Sequence, residues 1–350
     1  MPEKAEFKKE EYYARQLVLT DLGKEGQRKL EESKMVVVGL GGLGSIVTLY
    51  LALAGVGHLR LIDQDTVELN NLHRQVLFST DDLRRPKAEV AGKKISKINP
   101  NVSLDVLVEN VNEDNVREIL SGVDVVVDGL DNMRTRYLVN KVCVEQEVPY
   151  VFAGAIGLEG NVTVFSPPET PCLECVFGGL DDAYLPTCET RGILGVTAGT
   201  IGLIEATEAI KLITGIGETL KGKLLFCNLR DMTFDIFDIV KRPDCPICSA
   251  TKEEAIKVAV AKTSKTTWLC GRNTVNVNPP KPMDIMMDEI YPLIKNRYKV
   301  VAKSALAIIF DFEGFEVSLF KNGRMLIKNV QDEEEAINVY NKVLNRLKPQ

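Results

Sequence analysis

Positive charge is not in excess in this sequence: 43 lysines and arginines face 49 aspartates and glutamates, a formal net charge of −6. That balance argues against a polyanion as the main partner, because a chain that binds nucleic acid concentrates basic residues on one face. Bilayer-spanning character is missing too. The uncharged stretch from Gly192 to Ile204 is too short for a bilayer, which takes about 20 apolar residues, and the Lys- and Glu-rich N-terminus has no apolar core of the kind a secretory signal carries. A cytoplasmic protein is therefore expected. The cytosol also excludes structural disulfides as the use of the eight cysteines. Four of them fall into two C-x-x-C pairs, which points to a metal. No internal repeat and no catalytic triad stand out. What remains is an ordinary composition, 45% apolar and 26% charged, with material for one large domain or two.

The chain is organised around Met35 to Asp63. The β-branched run Val36-Val37-Val38 breaks into Gly39-Leu40-Gly41-Gly42-Leu43-Gly44, and a period of about 3.6 follows through Ile46, Leu49, Tyr50 and Leu53, so the stretch reads as strand, tight turn and helix. A second strand, His58 to Ile62, runs into Asp63. This is the pattern of a nucleotide-binding turn, in which glycines let backbone approach phosphates at a helix N-terminus and a later carboxylate reaches a ribose hydroxyl. The same turn also serves plain close packing of strand against helix. Beyond Asp63 come Asp65, then Asn70-Asn71-Leu72-His73-Arg74-Gln75, then Arg84-Arg85-Pro86-Lys87. They form a dense set of amides and cations just past a strand's carboxyl end, where open α/β sheets place ligands. Cations here can neutralise a triphosphate; the bland alternative is a solvated loop with Pro86 opening a helix.

The pattern then alternates. A helix is expected over Lys87–Ile98, a strand over Val102–Val108, a buried parallel strand over Val123–Gly129 that brings Asp131 and Asn132 to the same crevice, a helix over Arg134–Glu147, and strands over Tyr150–Ala153 and Asn161–Phe165. Strand and helix in alternation predict a doubly wound, mostly parallel Rossmann-like α/β sheet. Residues 1–34 read as an amphipathic helical lead-in containing Arg15. A Pro-rich excursion over 166–195 carries Cys172, Cys175 and Cys188, and a helix over Thr197–Ile213 follows it. Strands near Leu224–Asn228 and Phe234–Ile239 lead to Cys245 and Cys248. Cys143 and Cys227 fall in apolar elements and read as core. The expected division is 1–250 as one domain, 251–267 as a linker and 268–350 as a small α+β domain. Its elements are a helix over Pro282–Lys295, strands near Tyr298–Val301, Ala305–Phe310, Glu316–Leu319 and Arg324–Ile327, a hairpin turn at Asn322-Gly323, and a closing helix from Glu333.

The stretches VVVGLGGLGS, LIDQDTVELNNLHRQ, RPKAE, GLDNMRTR, CLEC, TCETRGILGV and CPIC, in order over about two thirds of the chain, resemble the MoeB/ThiF/HesA family of ubiquitin-like-protein activating enzymes. The resemblance implies ATP-dependent adenylation of the C-terminal Gly-Gly carboxylate of a small β-grasp carrier of the MoaD, ThiS or Urm1 kind, with release of pyrophosphate and later attack by sulfur. It implies a nucleotide site made by Gly39, Gly41, Gly42, Asp63, Asn70, Asn71, Arg74, Gln75, Lys87, Asp131 and Asn132, with Asp131 helping to hold Mg²⁺. Arg15 matches an arginine that reaches into the neighbouring subunit's site, which implies a homodimer. Cys188 matches a loop cysteine that in some members takes the carrier's carboxylate; the plain alternative is a loop thiol.

Cys172, Cys175, Cys245 and Cys248 form two knuckles suited to a closed tetrahedral Zn²⁺ site, as in the family, the alternative being redox dithiols. The tail shows no cysteine-centred rhodanese loop after residue 280, so it supplies no sulfur by that route, and a separate sulfur donor is implied. Cys270, at the start of the tail, is a lesser candidate for sulfur chemistry. Two competing functions are a non-catalytic carrier-binding subunit and a nicotinamide-dependent oxidoreductase. The first would lack a phosphate-site residue, and the second leaves Arg74, Lys87 and the four cysteines unexplained.

Overall fold

A computed structural model describes residues 7–249, 266–269, 273–281 and 283–347. Its larger sheet has the strand order β3-β2-β1-β4-β5-β6-β7-β8, with β1 Lys34–Val38, β2 His58–Ile62, β3 Ser103–Leu107, β4 Val125–Asp128, β5 Tyr150–Ile156, β6 Glu159–Phe165, β7 Lys223–Asn228 and β8 Thr233–Asp238. The first five strands in this order are parallel. β1 and β4 are buried along nearly their whole length, as expected of Val-rich strands covered by helices on both faces.

Strand order reverses between β1 and β4, so the loops leaving these two strands diverge and leave a crevice at their carboxyl ends. There the two chain segments touch. Gly39 adopts φ +90°, and a Cβ on it would lie 2.5 Å from the Gly129 carbonyl oxygen; a Cβ on Gly44 would lie 1.9 Å from that of Gly39. Only glycine permits this approach, so the glycines do the packing job as well as any ligand job.

The helix Gly42–Ala54 departs from its expected stripe. Tyr50 is 44% exposed, whereas Leu43, Val47, Leu51 and even Ser45 and Thr48 are buried. The cause is a second covering element: the helix Gly195–Thr214 lies against it so closely that a Cβ on Gly202 would sit 3.0 Å from Ile46 Cβ.

The doubly wound pattern stops at β5. β6, β7 and β8 are antiparallel additions, because Gly157 and Leu158 turn β5 straight back as a hairpin with no crossover helix to keep the strands parallel. The lead-in is broken into Lys9–Tyr12, Ala14–Leu17 and Gly23–Glu32 rather than continuous.

A second, antiparallel sheet has the order β11-β12-β13-β14-β10-β9, with β9 Thr266–Leu269, β10 Thr274–Val277, β11 Val300–Lys303, β12 Ala307–Phe312, β13 Phe315–Phe320 and β14 Met325–Lys328. β9 and β10 have no counterpart among the expected strands, and β9 starts inside the expected linker, whose residues 251–265 lie outside the described residues, as does Cys270. The hairpin at Asn322-Gly323 is present, with Gly323 at φ +83°. The expected helix starts at Met287 rather than Pro282, since the Met283 and Ile285 amides are spent on the Asn322 and Lys321 carbonyls and that segment is held out of helical conformation.

Side chains alternate along these strands. Val275, Ile308, Phe310, Val317, Leu319 and Ile327 meet the helices Met287–Lys295 and Glu333–Leu347 on one face. On the other, Ala307, Phe320 and Leu326 join the core of the larger sheet, in one cluster with Val67, Leu77 and Phe78. The second sheet is thus covered on both faces, and the larger sheet's loop after β2 is part of its cover.

Candidate active site

Asp63, at the end of β2, ties the crevice together. One carboxylate oxygen accepts the Leu40 N–H of the glycine turn at 2.7 Å and the other accepts the Asp65 N–H at 2.6 Å. Each oxygen keeps a further lone pair for another donor. Burial raises the Asp63 pKa; the nearby Lys87 and the two amides pull the other way.

Asp65 in turn holds Lys87. The Lys87 Nζ lies 3.2 Å from the Asp65 carboxylate, its amide bonds the Asp65 carbonyl, and the side chain is 4% exposed. Lys87 is the first residue of the helix Lys87–Ile98, so its charge sits at the positive end of a helix dipole. A buried cation there fits a site built for an anion.

Arg74 is fixed by its own loop. It donates to the Asn70 carbonyl at 2.9 Å and to Asn71 Oδ1 at 2.8 Å. Its aliphatic part covers Gly42, where a Cβ would lie 3.6 Å from Arg74 Cδ. Asn71 and Gln75 are buried, and Asn71 Nδ2 and Gln75 Oε1 have no hydrogen-bond partner among the described residues. Gln75 Nε2 comes within 3.9 Å of a Cβ placed on Gly41. Unsatisfied buried amide atoms beside a glycine turn fit a polar ligand.

Asp131 is exposed at the mouth of β4, where its carboxylate accepts from Asn132 at 3.3 Å. Asn132 caps the helix Met133–Gln146 through Thr135 N. The excursion is latched over this end of the sheet. Asp182 accepts the Met133 and Arg134 amides at 2.6 and 3.1 Å, and Tyr137 OH bonds the Phe177 carbonyl. Asp182 went unnoticed in the sequence, where it is one acid in a polar loop. Cys188 lies near enough to Arg74 and Asp131 to feel both charges; burial nevertheless raises its thiol pKa, so Arg74 does not hold it as a thiolate. Arg15 is not brought to this site within the chain. It is exposed on Ala14–Leu17, next to Gln16, whose amide bonds the Ala54 carbonyl, and so lies a helix length of roughly 20 Å from the glycine turn.

Beneath the crevice lies a buried polar network that sequence reading missed. Arg136 pairs with Asp128 at 3.0 Å and bonds the Leu130 and Ala153 carbonyls, fixing the loop that carries Asp131. The Asp128 amide donates to Glu205 Oε1 at 3.0 Å. Burial, with the Asp128 charge alongside, pushes the Glu205 pKa well above its ordinary 4.5, so the folded protein keeps a proton that the unfolded chain releases. Stability then falls as pH rises above that ordinary value, by up to about 1.4 kcal/mol per pH unit for one group. Glu205→Gln is expected to flatten urea-unfolding stability between about pH 5 and 7 relative to the parent. An unchanged slope would show that Glu205 is already ionised.

The four knuckle cysteines converge. Sγ separations are 4.0 Å for Cys172–Cys175, 3.6 Å for Cys172–Cys245 and 3.4 Å for Cys175–Cys248, and all four sulfurs lie within 4.8 Å of one another. A tetrahedral ion with metal–sulfur bonds of about 2.3 Å needs sulfurs about 3.8 Å apart. The Arg242 amide donates to Cys175 Sγ at 3.5 Å, the kind of support a thiolate ligand takes.

A crevice at a sheet's switch point, lined by a glycine turn, an acid, amides and two cations, defines a nucleotide-binding α/β protein. Comparison with known families narrows this: the ThiF family model matches residues 13–247. The chain is 43% identical over 246 residues to the SAMP-activating enzyme E1 of Haloferax volcanii, covering 70% of this chain and 91% of that one. It is 37% identical over 245 residues to the sulfur carrier protein ThiS adenylyltransferase of Escherichia coli K12, covering 70% and 97%. A crystal structure of E. coli MccB with ATP aligns at a TM-score of 0.58 and 27% identity, over 65% of this chain and 70% of that one. The chain belongs to the ThiF family.

Proposed function

We propose that the protein is an adenylyltransferase that activates the C-terminal Gly-Gly carboxylate of a small ubiquitin-like sulfur-carrier protein with ATP. The observation that carries this reading is that Arg74 covers Gly42 of the glycine turn beside unsatisfied amide atoms of Asn71 and Gln75, while Asp63 ties the same turn to the segment whose Asp65 holds the buried Lys87. Similarity to adenylyltransferases of sulfur carriers supports it.

In this reading Gly39, Gly41 and Gly42 lie against the nucleotide, Asp63 receives the ribose hydroxyls on its remaining lone pairs, and Asn70, Asn71, Arg74, Gln75 and Lys87 hold the phosphates. Asn132 lines the pocket. Asp131 would hold Mg²⁺, which supplies neutralisation of phosphate charge. The carrier's carboxylate oxygen attacks the α-phosphorus, the bond to the β-phosphate oxygen breaks, and pyrophosphate leaves with the electron pair. No proton moves, so no general base is needed. The task of Arg74 and Lys87 is to relieve repulsion between two anions and to stabilise charge gathering on the leaving group.

Residues 1–250 form the adenylation domain and 268–350 a small α+β domain after a linker at 251–267. Cys172, Cys175, Cys245 and Cys248 hold a structural zinc that staples the excursion to the end of the first domain. Arg15, far from its own crevice, serves that of a second subunit in a cytoplasmic homodimer, and sulfur arrives from a separate donor.

The test is ATP–pyrophosphate exchange in the presence of a ThiS-type carrier ending in Gly-Gly. Carrier-dependent exchange supports the reading; nucleotide binding without exchange, across ThiS-, MoaD- and Urm1-type carriers, overturns it. Cys188 acts after adenylation if it acts covalently, so Cys188→Ala is expected to leave exchange within roughly twofold of the parent while later transfer of the carrier falls.

A further inference from the structure

Arg324 stands at the head of β14, far from the crevice in sequence and against it in space. It is 1% exposed. Its Nη2 donates to the Gln64 carbonyl at 2.7 Å and its Nη1 to Asn276 Oδ1 at 3.0 Å. The guanidinium stacks on Phe320, 3.7 Å from the ring centroid, and Nε is buried with no partner among the described residues. Gln64 is the residue between Asp63, which holds the glycine turn, and Asp65, which holds Lys87.

A fully buried arginine is costly unless nearby charge compensates it. Here Asp65, Asp63 and Glu109 do so, against a burial that brings the Arg324 pKa down to about 10. Around it the two parts of the chain are pinned again by Lys328–Glu68 at 2.8 Å and Arg84–Glu316 at 3.4 Å. Apolar packing through Phe320 and Leu326 would join the sheets without any charge. A planar fork that grips one loop carbonyl within electrostatic reach of two site carboxylates does something more.

We propose that Arg324 is a positioning residue for ATP. By holding the Gln64 carbonyl it fixes the segment Asp63-Gln64-Asp65, so that the second sheet is a working part of the nucleotide site. The inference rests on the adenylation reading. Lysine cannot reproduce the two-pronged grip, and methionine removes both the grip and the charge.

In the full chain, Arg324→Met is expected to raise the MgATP dissociation constant, read by calorimetry, and the KM for ATP roughly tenfold, the scale of one charge-assisted hydrogen bond. The carrier KM and kcat should stay within about twofold. Arg324→Lys should lie between the two. The Leu40 and Asp65 amides should exchange hydrogen faster in Arg324→Met while β1 and β4 stay protected. Unchanged MgATP affinity overturns the proposal, and so does an equal loss of ATP and carrier affinity with general loss of protection, which marks a merely structural residue. If Arg324→Met does not fold, Arg324→Lys and Asn276→Ala carry the same comparison, and parental affinity in both is decisive against it. A parent protein that binds no MgATP would instead sink the adenylation reading, and the exchange of the Leu40 and Asp65 amides would still decide whether Arg324 braces the loop.

Discussion

Lys87→Ala is expected to lower carrier-dependent ATP–pyrophosphate exchange by roughly a hundred- to a thousandfold, the usual loss when one preorganised group that meets transition-state charge is removed. The structure gives the reason. The ammonium is almost sealed from water, so its field is not screened as a surface lysine's is. It also sits at the positive end of its own helix dipole, which costs up to about 1 kcal/mol; the Asp65 carboxylate offsets that cost at rest, and a phosphate would offset it further. Arg74→Ala should act similarly, since Asn70 and Asn71 already hold the guanidinium in place and little ordering is left for the reaction to supply. Both variants should keep cooperative thermal unfolding. Exchange at parental rates in both, with folding intact, would mean that the cations do not face the phosphates.

Cys245→Ser carries the largest expected effect on stability. A structural zinc in a four-thiolate site contributes folding free energy outright, about 10–16 kcal/mol of apparent binding energy in isolated fingers. In this chain an ion held by the four cysteines would join Cys172 and Cys175, at the start of the excursion, to Cys245 and Cys248, beyond β8. The variant is expected to lose zinc, measured by atomic absorption, and to unfold at least about 10 °C lower, equivalent to about 3 kcal/mol for a domain of this size. Exhaustive chelation of the parent protein should give the same shift. The excursion carries Asp182 and Cys188 over the crevice, so exchange should fall as well, through displacement rather than loss of a contact. A chelated protein with unaltered melting temperature would reduce the four cysteines to a thiol cluster.

The parts of this architecture that were readable in the sequence are those where one local rule suffices. Val36-Val37-Val38 can only be a buried strand, and the glycines after it can only be a turn against something close. The amides and cations of 70–87 follow at a distance that fits one crevice. The antiparallel return after β5 was implied by the Gly-rich turn into Asn161–Phe165, which is too short for a crossover helix, but the strand–helix alternation upstream masked it. The burial of Ser45 and Thr48 depends on a helix arriving from Gly195–Thr214, so the stripe of Ile46 and Tyr50 described only one of two neighbours. Arg324 read as the polar head of a strand. Nothing in its own neighbourhood names Gln64 as its partner, and the Asp128–Arg136–Glu205 network is likewise assembled from three distant segments.

The hydrogen bond from Arg324 to Gln64 closes a separation of 260 residues along the chain. A ribosome adding about 5–20 residues per second leaves the loop after β2 waiting roughly 13–50 s for its cover. During translation Val67, Leu77 and Phe78 lack the side chains of Ala307, Phe320 and Leu326. The nascent polypeptide therefore passes through a stage with its larger sheet made and an apolar flank bare, when a chaperone has a target and truncated products are most prone to aggregate.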